Sequence, residues 1–405
     1  MITAWLRIHY TLGGRAAFLP MYQKYPDPQA LCRALETRAE QNGLLRRISP
    51  ERFDSFGTRQ ALAAEQLCRQ HGWRIVPFPS EYYPAPLRQI KDPPAVLFAR
   101  GDLELLKNPR KVAVVGTRTA SRKAADAAVL LGEALAQSGV TVVSGGAYGI
   151  DSAAALGAAN VPGAGCVTVL GRGFDPARDA DRPAERTVVI TELFPGLSGR
   201  AFNFPARNRV ISGLCAGTVV MEAGGKSGSL ITAADAQKQG RPVFVPDGNS
   251  LPSPGCAALA AKGAREIARP LDCVAALFPD LPTEGDDALF TRWNDAPKGR
   301  YEQTFYGAPA RWISPSPAAI SAPAVSLPKA IPAADRSAVP DSVPLPEGLS
   351  PEAHAVIRAL QNGPRYVDEI IDQLGIPAPK VQVAVTELEL EDAIAVGPGG
   401  RVSLQ

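Results

Sequence analysis

Apolar residues recur at helical spacing near the start of the chain (Trp5, Leu6, Leu12, Phe18 and Leu19; Leu31 and Leu35; Leu62 and Leu67), with turn signals at Gly13-Gly14, Pro26 and Gly43. The pattern predicts a small all-helical bundle over residues 1–72. From Trp73 the texture changes to extended apolar pieces, Arg74 to Phe78 and Ala95 to Phe98, punctuated by prolines; these predict a covered sheet edge. Between Lys111 and Val274 six short β-branched runs alternate with Ala-rich helical stretches: 111–115 (KVAVV), 140–144 (VTVVS), 166–170 (CVTVL), 187–191 (TVVIT), 218–222 (TVVME) and 242–246 (PVFVP). Strands that are apolar on both faces, separated by helices, predict a parallel sheet covered on both sides and joined by right-handed crossovers. The expected fold class is α/β, a Rossmann-like doubly wound parallel sheet, over residues 73–279.

The periodicity then dissolves, and residues 307–346 hold nine prolines with many alanines. Residues 280–347 read as a Pro/Ala-rich linker. Three short helices (351–361, 366–374, 378–391) and a terminal hairpin (393–396 and 401–404) then predict a winged-helix domain over 348–405. Its third helix carries Glu387, Glu389, Glu391 and Asp392 against a single Lys380, so it repels DNA and suits protein docking or a structural role.

The net charge of +3 hides a gradient. Residues 1–109 and 110–275 each carry +5 (15 Lys/Arg against 10 Asp/Glu, and 18 against 13), 276–346 carry −2 (6 against 8) and 347–405 carry −5 (4 against 9). Charges this small do not steer polyanions over long range, but cations gathered at one mouth of the central domain make a local anion site. No uninterrupted apolar run long enough to span a bilayer occurs, and the first residues lack a secretory pattern; a cytoplasmic protein without membrane contact is expected. The six cysteines form no C-x-x-C pair and read as reduced core thiols, with no metal site. His9, His71 and His354 all lie outside the glycine-rich centre, which excludes histidine-based catalysis there.

In a doubly wound sheet the ligand sits beyond the carboxyl ends of the strands, so the loops there carry the candidate chemistry. The first is Gly116 to Ser121, where Arg118 and Ser121 stand at a helix start, reading either as a phosphate site or as a helix cap with an exposed arginine. The second contains Gly145, Gly146 and Tyr148; the glycines serve a ligand or close packing, and the tyrosine offers a ring to a base or to the core. A third, read as a loop before the fifth strand, carries Arg207, Asn208 and Arg209, of which at least one arginine is expected to face ligand and one to pair with Glu192 or Glu222. The fourth, Lys226, Ser227, Gly228 and Ser229, is a nest of amides at a helix start. It tempts one toward an ATP-binding P-loop, but position 220 is Val where that motif needs glycine. Glu222 reads as an ion-pair partner or as a base. No dinucleotide fingerprint is present, and no cofactor is expected.

The strings VAVVGTRTAS, SGGAYGID, VTVLGRGFD, FPARNRVISGL and MEAGGKSGSLITAADAQKQGRPVFVP, in this order, closely resemble the DNA-processing protein A (DprA/Smf) family. Residues 82–106 (YYPAPLRQIKDPPAVLFARGDLELL) are similar to that family's entry into its Rossmann domain. The resemblance implies a helical SAM-like domain before the sheet. It further implies a non-catalytic protein that binds single-stranded DNA, dimerises through the Rossmann domain and helps load the recombinase RecA during natural transformation. Carried over by motif, Gly116, Arg118, Ser121, Gly145, Gly146, Arg207, Asn208, Arg209 and Lys226 to Ser229 are the DNA-binding positions. The chain departs from the family pattern at Ala155, at Asp247 and at Ala257 to Ala260.

Two other readings compete. One is a small-nucleotide enzyme such as a nucleoside-monophosphate phosphoribohydrolase, which shares a related core but needs a catalytic Glu where this chain has Lys226 to Leu230. The other makes the acidic C-terminal module a protein–protein adaptor.

Overall fold

The computed structural model describes residues 1–179 and 186–283, and residues 351–404 in part. The chain divides into two compact units, Met1–Ala319 and Ile320–Gln405. Most of the expected linker, from residue 284 to 347, lies outside the described residues.

The first unit begins with five helices, α1 (Ile2–Leu12), α2 (Phe18–Lys24), α3 (Pro28–Glu36), α4 (Pro50–Asp54) and α5 (Thr58–Gln70). Local chemistry sets their ends: the Asp27 carboxylate accepts the Ala30 N–H at 2.7 Å, and Pro28 occupies the first turn of α3, where its missing N–H costs nothing. Trp5, Leu6, Leu12, Phe18, Leu31 and Leu35 are buried, as their spacing requires. Leu62 is not; it is 51% exposed, because α5 turns Ala61 and Cys68 inward and leaves Leu62 one step off that face.

The elements that follow are β1 (Arg74–Pro77), α6 (Ala85–Arg88), β2 (Val96–Gly101), α7 (Glu104–Lys107), β3 (Lys111–Val115), α8 (Arg122–Gln137), β4 (Thr141–Ser144), α9 (Ile150–Ala159), β5 (Cys166–Val169) and β6 (Thr187–Thr191). After these come α10 (Asn203–Gly213), β7 (Gly217–Val220), α11 (Ser229–Lys238), β8 (Val243–Pro246), α12 (Pro254–Ala260), β9 (Arg265–Ile267) and α13 (Asp272–Leu277). All six expected runs are strands. They lie in one sheet of order β1-β2-β6-β5-β4-β3-β7-β8-β9. Pairing is parallel from β6 through to β9, whereas β2 runs antiparallel to β6 and β1 antiparallel to β2. The covered edge thus takes the form of an antiparallel extension, and β9 is a further strand too short and too polar to stand out in sequence.

Alternate residues of β3 face opposite sides. Ala113 and Val115 join a core that also takes in Trp5, Phe18 and Phe98, so the helical region and one sheet face share a single hydrophobic interior. Val112 and Val114 face the other core, with residues of α8, α9 and α13. Lys111, at the start of β3, is fully buried; its amine donates to the carbonyls of Leu106, at 2.9 Å, and Asn108, and burial lowers its pKa to about 8. All six cysteines are buried free thiols, and burial pushes Cys32 up to about 11 and Cys68 and Cys215 to about 12. No helix among the described residues is long and apolar enough to cross a membrane.

The second unit contains α14 (Pro351–Leu360) and a three-stranded antiparallel sheet, β10 (Arg365–Tyr366), β11 (Ile394–Gly397) and β12 (Arg401–Leu404), in the order β10-β12-β11. Val356, Ile357, Ile370, Val381, Leu388 and Val402 are among its core residues. The expected hairpin is present. The expected helix over 366–374 is corrected at its start, since Tyr366 pairs with Arg401 as a third strand of the wing; the expected acidic helix lies largely outside the described residues.

Candidate nucleic-acid interface

From β3 the chain winds outward through β4, β5 and β6, then returns to place β7 on the other flank of β3 and continues through β8 and β9. The winding direction therefore reverses between β3 and β7, which opens a crevice at their carboxyl ends. Residues 116–121 follow β3, 145–149 follow β4, and 221–228 follow β7.

Backbone and side chain tie these loops together. The Thr117 N–H donates to the Glu222 carbonyl at 2.8 Å, and the Ser121 N–H donates to the Glu222 carboxylate at 2.8 Å. Glu222 thus forms neither of the expected arginine pairs; its carboxylate braces the loop leading into α8. The Ser121 hydroxyl accepts the Ala124 N–H at 3.2 Å, so it caps α8. Arg118 projects from the same loop into solvent, its guanidinium carbon 5.8 Å from the Phe204 ring centroid.

In the next loop the Gly145 N–H donates to Asp151 at 2.8 Å and the Gly145 carbonyl accepts from Arg207 at 3.0 Å. A Cβ at Gly145 would come within 2.8 Å of the Arg207 guanidinium and 2.9 Å of the Asp151 carboxylate, so the protein itself demands glycine there. Burial pushes the Asp151 carboxyl up to about 6, although Arg207 and the amides of Gly145, Ala147 and Gly116 pull the other way. Gly149 adopts φ +79°, and a Cβ there would come within 2.4 Å of the Thr117 carbonyl oxygen; the loops after β3 and β4 are in contact at this point. Gly146 and Tyr148 are exposed.

The segment Phe204 to Arg209, expected to be a loop, lies in α10, with Pro205 tolerated in its first turn. Helical geometry has a direct consequence, since residues two apart differ by about 200° around the axis and face opposite ways. Arg207 turns inward, donating to the carbonyls of Gly145 and Val169, and only 7% of the residue is exposed. Burial lowers its pKa to about 10 against the opposing pull of Asp151. Arg209 turns to the far side, pairing with Glu192 at 2.5 Å and Asp92 at 3.5 Å. Burial works against its charge, and the two carboxylates more than offset that. The expected pairing with Glu192 is therefore present, while Arg209 does not stand at the crevice with the others. Asn208, also buried, donates to the Gly228 carbonyl at 3.2 Å and latches α10 to the fourth loop.

In that loop Lys226 and Gly228 are exposed, Ser227 is half-buried and Ser229 is buried, their hydroxyls 2.8 Å apart. α11 starts at Ser229, the last residue of this loop. No backbone acceptor among the described residues takes the amides of Gly225, Lys226 or Gly228. A Cβ at Gly224, Gly225 or Gly228 would meet no protein atom within 4 Å, and none of the three has positive φ. The protein's own packing gives no reason for these glycines.

The structure thus gathers Gly116, Arg118, Ser121, Gly145, Gly146 and residues 226–229 around one crevice, with Arg207 and Asn208 as supports beneath it and Arg209 outside it. Two residues that frame the crevice were not singled out from sequence, Asp151 and Phe204. Asp151 carries the faint signal of a carboxylate two residues after a glycine at a helix start.

Comparison with known proteins agrees with this architecture. The model of the DNA recombination-mediator protein A family matches residues 74–278, and that of the DprA winged helix domain matches 340–400. Protein Smf of Escherichia coli (strain K12) is 33% identical over 377 residues, 90% of this chain and 86% of that protein. DNA processing protein DprA of Bacillus subtilis (strain 168) is 37% identical over 223 residues, 53% of this chain and 73% of that protein. The X-ray structure of DNA processing protein A from Streptococcus pneumoniae superposes with a TM-score of 0.57 at 30% identity, covering 68% of this chain and 98% of that one. With family matches to both its doubly wound sheet and its winged helix, this chain belongs to the DNA recombination-mediator protein A (DprA/Smf) family.

Proposed function

We propose that this protein binds single-stranded DNA in the crevice between β3 and β7 without performing chemistry on it. Arg118 and Lys226 take phosphate oxygens, the amides around Ser227 and Gly228 take others, and Gly224, Gly225 and Gly228 let the backbone approach the strand. Ser121, Ser229, Arg207 and Asn208 hold the loops in place. The observation that carries this reading is the pairing of two exposed cations across the switch point with three glycines that nothing inside the protein requires. A flexible single strand fits strand-end loops better than a duplex does, because no basic helix among the described residues lies ready for a major groove. In keeping with the family resemblance, the bound strand is passed to RecA in natural transformation by a dimer joined through the Rossmann domain.

The test is fluorescence anisotropy of a labelled single-stranded oligonucleotide at two salt concentrations, with wild type and with Arg118→Ala/Lys226→Ala. Salt-sensitive binding that collapses in the double variant is expected. Equal binding by both proteins overturns the assignment. RecA loading is tested separately, by the rate at which RecA assembles on strands already coated with a single-strand-binding protein.

A further inference from the structure

We propose that Tyr148 and Phe202 stack on the bases of the bound strand on either side of Arg118, an inference that rests on the DNA-binding reading above. Among the described residues, the exposed large hydrophobic side chains include only two aromatics, Tyr148 at 62% and Phe202 at 65%. Elsewhere in this unit the rings of Trp5, Phe18, Phe98, Phe174 and Phe244 are fully buried. Both exposed rings stand at the carboxyl end of the sheet. Tyr148 follows β4 and is joined to Gly149, which packs against the backbone of Thr117 and Arg118. Phe202 stands at the N-terminal cap of α10, two residues before the Phe204 ring over which the Arg118 guanidinium lies. Arg118 therefore touches both neighbourhoods.

Phe204 shows what an aromatic here looks like when the protein uses it internally, since its ring closes against Gly171 and Gly199. Tyr148 and Phe202 have no ring partner among the described residues. Apolar rings held out into water beside Arg118 suit a ligand with alternating anionic and flat aromatic parts, which is the chemistry of an unpaired nucleic-acid strand. A duplex keeps its base faces stacked and cannot offer them. Stacking tolerates every base, so the contact gives affinity without sequence preference.

The experiment uses the full chain, a labelled oligothymidylate and an abasic oligomer of the same length. Tyr148→Ala and Phe202→Ala are each expected to weaken oligothymidylate binding by about tenfold. The log–log salt slope stays that of wild type, because no phosphate contact is lost. Tyr148→Phe and Phe202→Tyr retain binding, and all these proteins bind the abasic oligomer alike. Alanine variants that bind oligothymidylate as wild type does, while Arg118→Ala/Lys226→Ala loses it, overturn the stacking role and leave the phosphate crevice standing. Equal losses on both oligomers also overturn it, since they mark an indirect effect. If the double cation variant binds as wild type does, the DNA reading fails and takes this inference with it. Both rings are exposed, so the thermal midpoint of each variant checks that the fold is unchanged.

Discussion

Arg207 donates to the carbonyl oxygen of Gly145 at 3.0 Å, which makes a buried guanidinium the floor of the loop that follows β4. The arginine expected to meet DNA instead holds in place the glycine beside which DNA would pass. Arg207→Ala leaves the Gly145 and Val169 carbonyls without their donor and buried Asp151 without its nearest cation. It is expected to destabilise the first unit by about 3 kcal/mol. Arg118→Ala, at an exposed position, changes stability by less than about 0.5 kcal/mol. Denaturant titration of the two variants separates the supporting arginine from the ligand-facing one.

The two kinds of glycine part in the same way. Gly145→Ala forces a methyl group to within 3 Å of Arg207 and Asp151 and is expected to lower the thermal midpoint by several degrees. Gly225→Ala meets open space at ordinary φ and leaves the midpoint where it is, while weakening single-strand binding measured by anisotropy. A Gly225→Ala variant that binds normally shows that the strand does not approach this backbone.

The salt dependence carries a number. Four phosphate-neutralising cations, Arg118, Arg207, Arg209 and Lys226, predict a log–log slope of about −2.8 for a single strand, and the two that reach solvent predict about −1.4 from this crevice. A titration over several salt concentrations distinguishes the two values. Arg209→Ala is expected to leave the slope unchanged, because its charge is spent on Glu192 and Asp92.

Acid stability depends on a second seam. The Val96 N–H donates to His9 Nδ1 at 3.2 Å, which places the ring proton on Nε2, where it meets the Glu192 carbonyl at 2.6 Å. Burial lowers the His9 pKa from 6.5 to about 4, so its contribution is complete above pH 6.5 and is lost as the pH falls toward 4. Asp151 behaves oppositely: its pKa rises from 3.8 to about 6, so its contribution is complete below pH 3.8 and is lost as the pH rises toward 6. Each effect is worth about 3 kcal/mol across its window and the two largely cancel between pH 4 and 6. Asp151→Asn removes one of them, and its stability is expected to fall more steeply than wild type on acidification through that window. His9→Gln is expected to show the reverse slope. Urea midpoints measured at intervals from pH 4 to 7 read both.

Much of this was legible from residues alone. The β-branched runs specify strands because each carries its own propensity and its own pair of buried faces, so all six appear where the pattern puts them. The glycine-rich turns and the exposed positions of Arg118 and Lys226 follow from the same local rules. Tertiary structure decided the remainder. The antiparallel addition of β1 and β2 depends on an edge supplied by β6, more than eighty residues further along the chain, and no local period encodes that pairing. The fates of Arg207 and Arg209 depend on Pro205 lying inside a helix, and that helix turns one guanidinium to Gly145 and the other to Glu192. Sequence thus determined which residues carry charge near the strand ends, and three-dimensional packing determined which of those charges remain free. A charge keeps its hydration at the surface and loses it in the interior, where only a fixed partner can replace it.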